Sequence, residues 1–238
     1  MAQKARLRLN RYGTIINLTS KQQETEMGQA VIETSEIVTS KFGFSLEHRK
    51  SIQLGAIVND LREAFPTIPF SEPFARSSMN PDGGILSVTM RDGGKSLPIL
   101  ISEAKNQGTN DLRAQEGLKK QSMGNAIERL GKNVIGFRTM MLDAGITPFV
   151  CFGYGIDFDE GSSILDRVKT IAMFGELNEV SVINLGENGQ FNRGSFYFRR
   201  ARWTRAEMIE VMTDVATRSI HYYLAKYGDD AFVPAIVD

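Results

Sequence analysis

The sequence predicts an α/β fold in which one mixed β-sheet has helices on both of its faces. Three kinds of signal lead to this prediction: helix caps near both ends of the chain, a β-hairpin pattern near its middle, and a short apolar run of the kind buried in a sheet. The predicted order of elements is helices, hairpin, helix, strand, helix, strands and helix. This order favours a mixed sheet between two helical layers.

The N-terminal part of the chain is predicted to be helical. Ser20 with Gln23 resembles a capping box in front of a helix of about 20 residues, which Gly43 interrupts. A second helix is predicted over Leu46–Phe65, where the proline that follows ends it.

A β-hairpin is predicted next, after a loop with three prolines over residues 66–80. Apolar and polar residues alternate over Gly84–Arg91, Asp92-Gly93-Gly94 has the composition of a turn, and Ser96–Ala104 contains an apolar run. These two segments are therefore expected to pair as antiparallel strands.

Helices and short strands alternate in the second half of the chain. The predicted elements are a short helix capped by Asn110 or Asp111, a helix from Asn125 to Gly145, a buried strand over Thr147–Tyr154, a helix over Ser162–Phe174, a hairpin of Glu179–Leu185 with Ser195–Arg200, and a final helix from Thr204 to Tyr227. Thr204 with Glu207 forms a second capping-box pattern at the start of the last helix.

The composition is that of an ordinary globular protein. With 238 residues, of which 42% are hydrophobic, the chain can bury a sizeable core. We expect a single domain over residues 1–238, with a basic N-terminal arm over residues 1–19 and a helical part over residues 20–65.

Several protein classes are disfavoured by the sequence. The single cysteine, Cys151, excludes an internal disulfide, and its apolar neighbours predict a buried core residue. No run of about 18 apolar residues is present, so no membrane association is expected and the chain is expected to be soluble and cytoplasmic. His48 and His221 lie far apart and have no neighbouring cysteines, which argues against a zinc site.

Basic residues are clustered, although the formal net charge is zero. Lysine and arginine dominate residues 1–13, 112–138 and 199–205, and the last of these segments surrounds Trp203. Local basic patches can bind phosphates while acidic residues elsewhere balance the total charge. We therefore interpret the three segments as candidate phosphate-binding surfaces.

Two acids and a lysine indicate a divalent metal site. Glu103 and Lys105 are two residues apart on a predicted strand, so their side chains should project from the same face. Asp82 precedes the partner strand, and the hairpin can bring its carboxylate beside Glu103. A few hard oxygen ligands suit Mg²⁺, which keeps waters and takes further ligands from substrate phosphates.

Such a site could hydrolyse a phosphodiester bond. The ion would activate a water and neutralise charge at phosphorus, and Lys105 would orient or help to deprotonate that water. The Gly83-Gly84 pair would let the backbone approach closely beside Asp82. In the simpler interpretation Asp82 is a turn residue, and Glu103 with Lys105 is an exposed ion pair.

Polar residues at the start of the next predicted helix form a candidate base-reading element. Asn125 can both donate to and accept from the adenine edge in the major groove of DNA. Arg129 lies one helical turn later, where its planar fork can reach base or phosphate acceptors while Glu128 holds it in place. Lys132 and Asn133 add phosphate donors. The alternative is a helix cap followed by a solvated face.

These residues resemble motifs of the EcoRI-type restriction endonucleases of the PD-(D/E)xK superfamily. The resemblance rests on residues 80–85, residues 103–108, and Gly124–Arg129 with Lys132-Asn133, and weaker likeness covers residues 164–175 and 210–219. It implies that the predicted fold is restriction-endonuclease-like, with its mixed β-sheet flanked by helices on both faces.

The resemblance implies a homodimeric, Mg²⁺-dependent type II restriction endonuclease that cleaves palindromic double-stranded DNA and leaves 5′-phosphates. By residue match, Asp82 and Glu103 would be metal ligands and Lys105 the catalytic lysine. Two identical subunits would present the same reading element to both halves of the palindrome. Functional pairing with an adenine DNA methyltransferase is also implied, because a methyl group on adenine N6 would remove a donor and protect host DNA.

The resemblance further implies which residues contact DNA. The implied set is Asn125, Ala126 and Arg129 for an AATT core, Glu128 as their brace, Lys132 as support, Gln107 near the scissile strand and Arg167 for an outer base. The stretch between Lys105 and Gly124 looks shorter than in the family, and the residues just before Gly124 differ. The expected site is therefore GAATTC or a relaxed variant.

Two other functions stay open from the sequence. A structure- or end-dependent repair nuclease of the same superfamily would share Asp82, Glu103 and Lys105 but would not need Asn125–Arg129. A DNA-binding protein that no longer cuts would not need the intact acid and lysine set.

Overall fold

The computed structural model describes residues 13–92, 95–106, 108–119, 124–173 and 175–236. For residues 13–21, 106, 108–109, 112–113, 124–126 and 188, the description covers the backbone alone. The helices are α1 (Gly13–Phe42), α2 (Leu54–Ala64), α3 (Gly108–Gln115), α4 (Gly124–Met140), α5 (Ser163–Ala172) and α6 (Arg205–Tyr227). The strands are β1 (Leu46–Arg49), β2 (Ile52–Gln53), β3 (Ser78–Met79), β4 (Gly84–Thr89), β5 (Ser96–Asn106), β6 (Phe149–Tyr154) and β7 (Ser195–Arg199).

A mixed sheet forms the centre of the described part of the chain. Its strand order is β1-β4-β5-β6-β7, and β2 pairs with β3 in a separate small sheet. The pairs β1/β4 and β4/β5 are antiparallel, whereas β5/β6 and β6/β7 are parallel. The predicted mixed sheet is confirmed, and so is the predicted hairpin of β4 and β5.

The sheet lies between two helical layers, as predicted. The core under α1 and α6 includes Met27, Val31, Leu100, Phe152, Met212 and Tyr223, and the core under α4 and α5 includes Ile101, Leu130, Phe137, Phe149, Val168 and Phe196. Successive side chains of a strand point to opposite faces, so Leu100 and Ile101 of β5 enter different cores. Glu103 and Lys105, which alternate in step with Ile101, therefore point to the α4 side.

The N-terminal prediction is partly wrong. Helix α1 begins at Gly13, so Ser20 and Gln23 lie inside it and do not form the expected cap. The first part of the predicted second helix forms β1 and β2 instead, because Leu46 pairs with Val88 of β4 across the sheet. Such long-range pairing overrides weak local helix propensity. Residues 1–12 of the predicted basic arm lie outside the described residues.

The predicted hairpin between Glu179–Leu185 and Ser195–Arg200 is also wrong. The second segment is β7, which pairs in parallel with β6. The first segment makes one isolated bridge, Ile146 with Ile183. Asn178 forms hydrogen bonds with the outer edge of β7, where a partner strand was expected. Its N–H donates to the carbonyl of Phe196, and its side-chain oxygen accepts from the N–H of Phe198. A loop side chain therefore replaces the expected partner strand.

The helix caps divide into correct and incorrect predictions. Thr204 with Glu207 forms the predicted capping box of α6. Ser162, predicted only as the first residue of a helix, caps α5. Asn110 and Asp111, however, lie inside α3 rather than at its start. The amide of Asn110 donates to the buried Asp157 (2.6 Å), and Asp111 accepts from the Ile156 N–H (2.6 Å). Both side chains thus fasten α3 to the turn after β6.

Two further predictions concern the burial of Cys151 and the lack of a membrane-spanning segment. Cys151 is fully buried in the core, as expected. Among the helices of the described ranges, none is both long enough and apolar enough to cross a membrane.

Candidate active site

The turn in front of β4 carries Asp82 to the end of β5. Gly84 pairs with Ser102, which sets this turn beside the last residues of the neighbouring strand. A Cβ atom on Gly83 would lie 2.1 Å from Oγ of Ser102, and Gly84 has a φ of +82°. Both positions need glycine, because the first has no room for a side chain and the second has a left-handed backbone. The predicted close approach beside Asp82 is confirmed.

The three predicted catalytic side chains converge at this edge of the sheet. Nζ of Lys105 lies 3.5 Å from Oδ2 of Asp82 and donates a hydrogen bond to Oε1 of Glu103. The N–H of Asp82 donates to Oε2 of Glu103 (3.2 Å), and Oδ2 of Asp82 accepts from the N–H of Ala104 (3.1 Å). The Glu103 side chain is 2% exposed and that of Asp82 is 31% exposed. The simpler interpretation of an exposed Glu103–Lys105 pair is therefore wrong.

Burial and neighbouring charges set the proton affinities of the cluster. Burial raises the pKa of Glu103; Lys105 opposes this effect and Asp82 adds to it. Burial taken alone lowers the pKa of Lys105, but Glu103 and Asp82 outweigh it, so the pKa of Lys105 is raised. Lys105 thus stays protonated between two acids, and further positive charge would stabilise the cluster.

The donor set fits a hard divalent cation. Asp82 and Glu103 offer carboxylate oxygens, and Mg²⁺ needs only one or two protein carboxylates because waters and phosphate oxygens complete its shell. No group of three or more His, Cys, Asp or Glu side chains is arranged to hold a metal in the described residues. Asp82 and Glu103 are the two side chains that would hold such an ion.

The candidate base-reading residues lie on α4. Asn125 and Ala126 are in its first turn, and their side chains lie outside the description. Arg129 and Lys132 are exposed, and neither forms an ion pair with another described residue. Glu128 is also exposed and does not bond to Arg129 within the described part of the chain, so its bracing role stays a prediction.

A groove of about 690 Å³ between α4 and α5 brings together further predicted residues. Glu128, Lys132 and Arg167 contribute to its lining, together with Ile135 and Ile171. The structure therefore places Arg167 on the same surface as α4, which carries the candidate base-reading residues, although the two segments are distant in sequence. Gln107, predicted near the scissile strand, lies outside the described residues.

Each arginine of segment 199–205 is paired with an acidic side chain, and the phosphate-binding surface predicted there stays a prediction. The pairs are Arg199 with Glu207 (2.6 Å), Arg200 with Asp159 (3.2 Å), Arg202 with Glu26 (2.7 Å) and Arg205 with Glu33 (3.4 Å). Glu26 and Glu33 belong to α1, so this segment ties α1 to the start of α6.

Two residues near the site were not assigned these roles from the sequence. Nδ2 of Asn133 donates to Oε1 of Glu103 (3.0 Å), whereas the sequence predicted a phosphate donor. Nε2 of His48 donates to the carbonyl of Gly83 (2.9 Å) and so holds the turn beside Asp82. No local pattern could reveal His48, which lies 35 residues away. For Asn133 a local signal does exist. It lies three residues after the buried Leu130, and this helical spacing puts it near the buried face of α4.

The chain is similar to known proteins over most of its length. The family model for restriction endonuclease EcoRI matches residues 11–230. The type II restriction enzyme RsrI of Cereibacter sphaeroides is 31% identical over 205 residues, covering 72% of this chain and 74% of that enzyme. The type II restriction enzyme EcoRI of Escherichia coli is 28% identical over 231 residues, covering 80% and 83%.

Fold, site and relatives together define a site-specific deoxyribonuclease. The chain belongs to the EcoRI family of restriction endonucleases.

Proposed function

We propose that this type II restriction endonuclease hydrolyses phosphodiester bonds of double-stranded DNA at a palindromic site with an AATT core, either GAATTC or a relaxed variant, and leaves 5′-phosphates. The convergence of Asp82, Glu103 and Lys105 at the end of the β4–β5 hairpin carries this proposal. Two carboxylates can hold Mg²⁺ for phosphodiester hydrolysis, and a protonated amine beside them can stabilise charge on the phosphate.

Each member of the cluster has a distinct task. Asp82 and Glu103 would hold Mg²⁺, and the bound ion supplies the positive charge that activates water and offsets charge on the phosphate. Nζ of Lys105, fixed between both acids, orients the attacking water and stabilises the developing negative charge. Asp82 is the more exposed acid and lies on the substrate side, while Glu103 is anchored beneath it.

The start of α4 supplies sequence recognition in this proposal. Asn125, Ala126 and Arg129 read the AATT core, Glu128 braces them, and Lys132 contacts a phosphate. The exposure of Arg129 and Lys132, without described ion pairs, leaves both cations available to DNA. An adenine methyltransferase is the functional counterpart, since a methyl group at adenine N6 removes the donor that Asn125 would read.

The cleavage test compares two short duplexes that differ only in whether their centre contains AATT or ATAT. With Mg²⁺, we expect discrete products from the first duplex alone, with 5′ ends that accept a labelled phosphate only after phosphatase treatment. Sequencing of the ends from digested plasmid gives the flanking bases and the cut position. Glu103→Gln is the control for a contaminating nuclease. A plasmid smear would support a repair nuclease instead, and binding without cleavage would support a protein that no longer cuts.

We also infer that the enzyme acts as a homodimer through the groove between α4 and α5. Ile135, which is 68% exposed, lines this groove together with Ile127 and Ile171, so the surface offers a contiguous apolar patch that a partner would cover. A second copy on this surface would set two reading helices about one axis, as a palindrome requires. Ile135→Glu should produce monomers in sedimentation equilibrium and slow cleavage. An unchanged dimer would exclude this surface.

A further inference from the structure

Glu103 is held by donors from two different parts of the fold. Lys105 and Asp82, which contact it through Nζ and the backbone N–H, belong to the hairpin. The amide of Asn133, which donates to Oε1 (3.0 Å), belongs to α4. Among the described contacts of the Glu103 carboxylate, Asn133 is thus the polar link to the helix that carries the candidate reading residues.

Next to this bond, the described contact between α4 and the sheet is a cluster of apolar side chains. Ile127, Leu130, Val134 and Phe137 pack with Ile101 of β5 in the core beneath the helix. Apolar packing tolerates small sliding, whereas a hydrogen bond weakens steeply when its angle or length changes. A small shift of α4 against β5 would therefore change the Asn133–Glu103 bond before it disturbed the core.

Asn133 lies on the same rigid helix as the residues that face DNA. It follows Asn125 by about two turns, or roughly 12 Å along the axis. Arg129 and Lys132 lie between them and are exposed. A movement of the helix that seats these side chains on DNA is therefore transmitted to the amide of Asn133.

We propose that Asn133 is a positioning residue that couples the seating of α4 on its DNA site to the alignment of the Glu103 carboxylate. The inference rests on the proposed function. When α4 is seated on the correct sequence, the amide holds Oε1 of Glu103 in its working orientation. On a mismatched site α4 is displaced, the bond is lost, and the acid is misaligned.

The test separates cleavage from binding in the whole protein. Single-turnover cleavage of the AATT duplex and of duplexes with one changed base is measured for the unchanged protein and for Asn133→Ala. Loss of a hydrogen bond that orients a metal ligand costs about 10- to 100-fold in activity or metal affinity. We expect the cleavage rate on the AATT duplex to fall by this factor, while the rates on mismatched duplexes change much less. The ratio of the AATT rate to the mismatch rates should therefore decrease. Binding to the AATT duplex in EDTA should stay within about twofold of the unchanged protein, since Asn133 faces Glu103 and not DNA.

Further variants at position 133 test whether the hydrogen-bond donor or the shape of the side chain determines the cleavage rate. Asn133→Asp has the same shape but places a carboxylate opposite Glu103, so it should lose at least as much rate as alanine. Asn133→Gln keeps the donor and should recover part of the rate. Asn184→Ala is the matched control, because it removes a half-buried amide that donates to Thr147 (3.1 Å) away from the site. Thermal unfolding shows whether each variant is folded. If Asn133→Ala does not fold, Asn133→Asp takes its place in the test.

Three results would overturn the inference while leaving the proposed function intact. The first is an unchanged AATT rate in Asn133→Ala, and the second is an equal fall for AATT and mismatched duplexes. The third is a loss of binding in EDTA that matches the loss of rate, which would make Asn133 a DNA contact as the sequence suggested. Failure of the unchanged protein to cut at AATT would instead reject the proposed function itself.

Discussion

Two charged clusters in this molecule have opposite character. At the end of the hairpin, Asp82 and Glu103 share one cation, Lys105, and burial raises the pKa of Glu103. At the start of α6, Arg199 donates to Glu207 (2.6 Å) and stacks over the ring of Trp203 at 3.6 Å. Bonds from Arg199 and Thr204 lower the pKa of Glu207 to about 2.

The difference teaches how to distinguish functional charge from structural charge. The arginine-rich segment attracts attention in the sequence, yet its cations are neutralised by acids of the same protein. The hairpin cluster is less conspicuous, but it retains more carboxyl groups than cations and opens to solvent beside Asp82. Ionisable groups that have perturbed pKa values, and whose charge is not balanced within the protein, mark a place where a ligand can supply the missing charge.

The largest expected effect comes from removing a member of the hairpin cluster. Asp82→Ala, Glu103→Gln and Lys105→Ala should each lower cleavage by at least about 10²- to 10³-fold, because the two acids would hold the metal ion and Lys105 would stabilise charge on the reacting phosphate. Rates with saturating Mg²⁺ measure this effect, and binding in EDTA should persist. Arg200→Ala is the matched control in the other cluster. Comparable loss from Arg200→Ala would erase the proposed distinction.

The next effect concerns base recognition by α4. Asn125→Ala should reduce discrimination between AATT and single-base variants by about 1–3 kcal/mol, the usual value of a bidentate base contact. Competition binding at one salt concentration, with each variant duplex against AATT, provides the measurement. An unchanged preference for AATT would remove Asn125 from the reading element.

A smaller effect should separate exposed from paired cations. Lys132→Ala should weaken binding about equally for all sequences and lower the slope of log affinity against log salt by about 1, as for one lost phosphate contact. Arg205→Ala should leave the slope unchanged, because Arg205 is bound to Glu33 and Gln29 of α1. A salt titration of both variants decides the matter. A fall in slope for Arg205→Ala would return the arginine segment to the DNA interface.

The smallest effect concerns stability and its pH dependence. The lowered pKa of Glu207 means that its stabilising effect is present above the unfolded value of about 4.3 and is lost as pH falls toward about 2. Glu207→Gln should therefore cost up to about 1 kcal/mol near pH 7, discounted for an exposed pair, and nothing near pH 2. Urea unfolding at both pH values measures the difference. If Glu207→Gln lowered the free energy of unfolding equally at both pH values, the effect would come from the helix cap alone and not from the ion pair with Arg199.

Local signals in the sequence were sufficient for part of the fold and most of the catalytic cluster. The Thr204–Glu207 box acts over three residues, so the sequence alone identifies it. The two-residue spacing of Glu103 and Lys105 places both on one face of a strand, and the glycine-rich turn brings Asp82 within reach.

Long-range contacts could not be read in the same way. The sequence predicted a helix where β1 pairs with β4, and a hairpin where β7 joins β6. It also could not reveal that Arg202 and Arg205 pair with acids of α1, which lie more than a hundred positions earlier, as the separation of 176 between Arg202 and Glu26 shows.

The sequence by itself thus determined the capping box of α6, the β4–β5 hairpin and the chemical identity of the acids and lysine, because these depend on neighbours within a few residues. Only the tertiary structure decided the strand partners, the neutralisation of the arginine segment and the bond from Asn133 to Glu103. Those contacts join residues that local geometry cannot bring together, and packing across the sheet selects them.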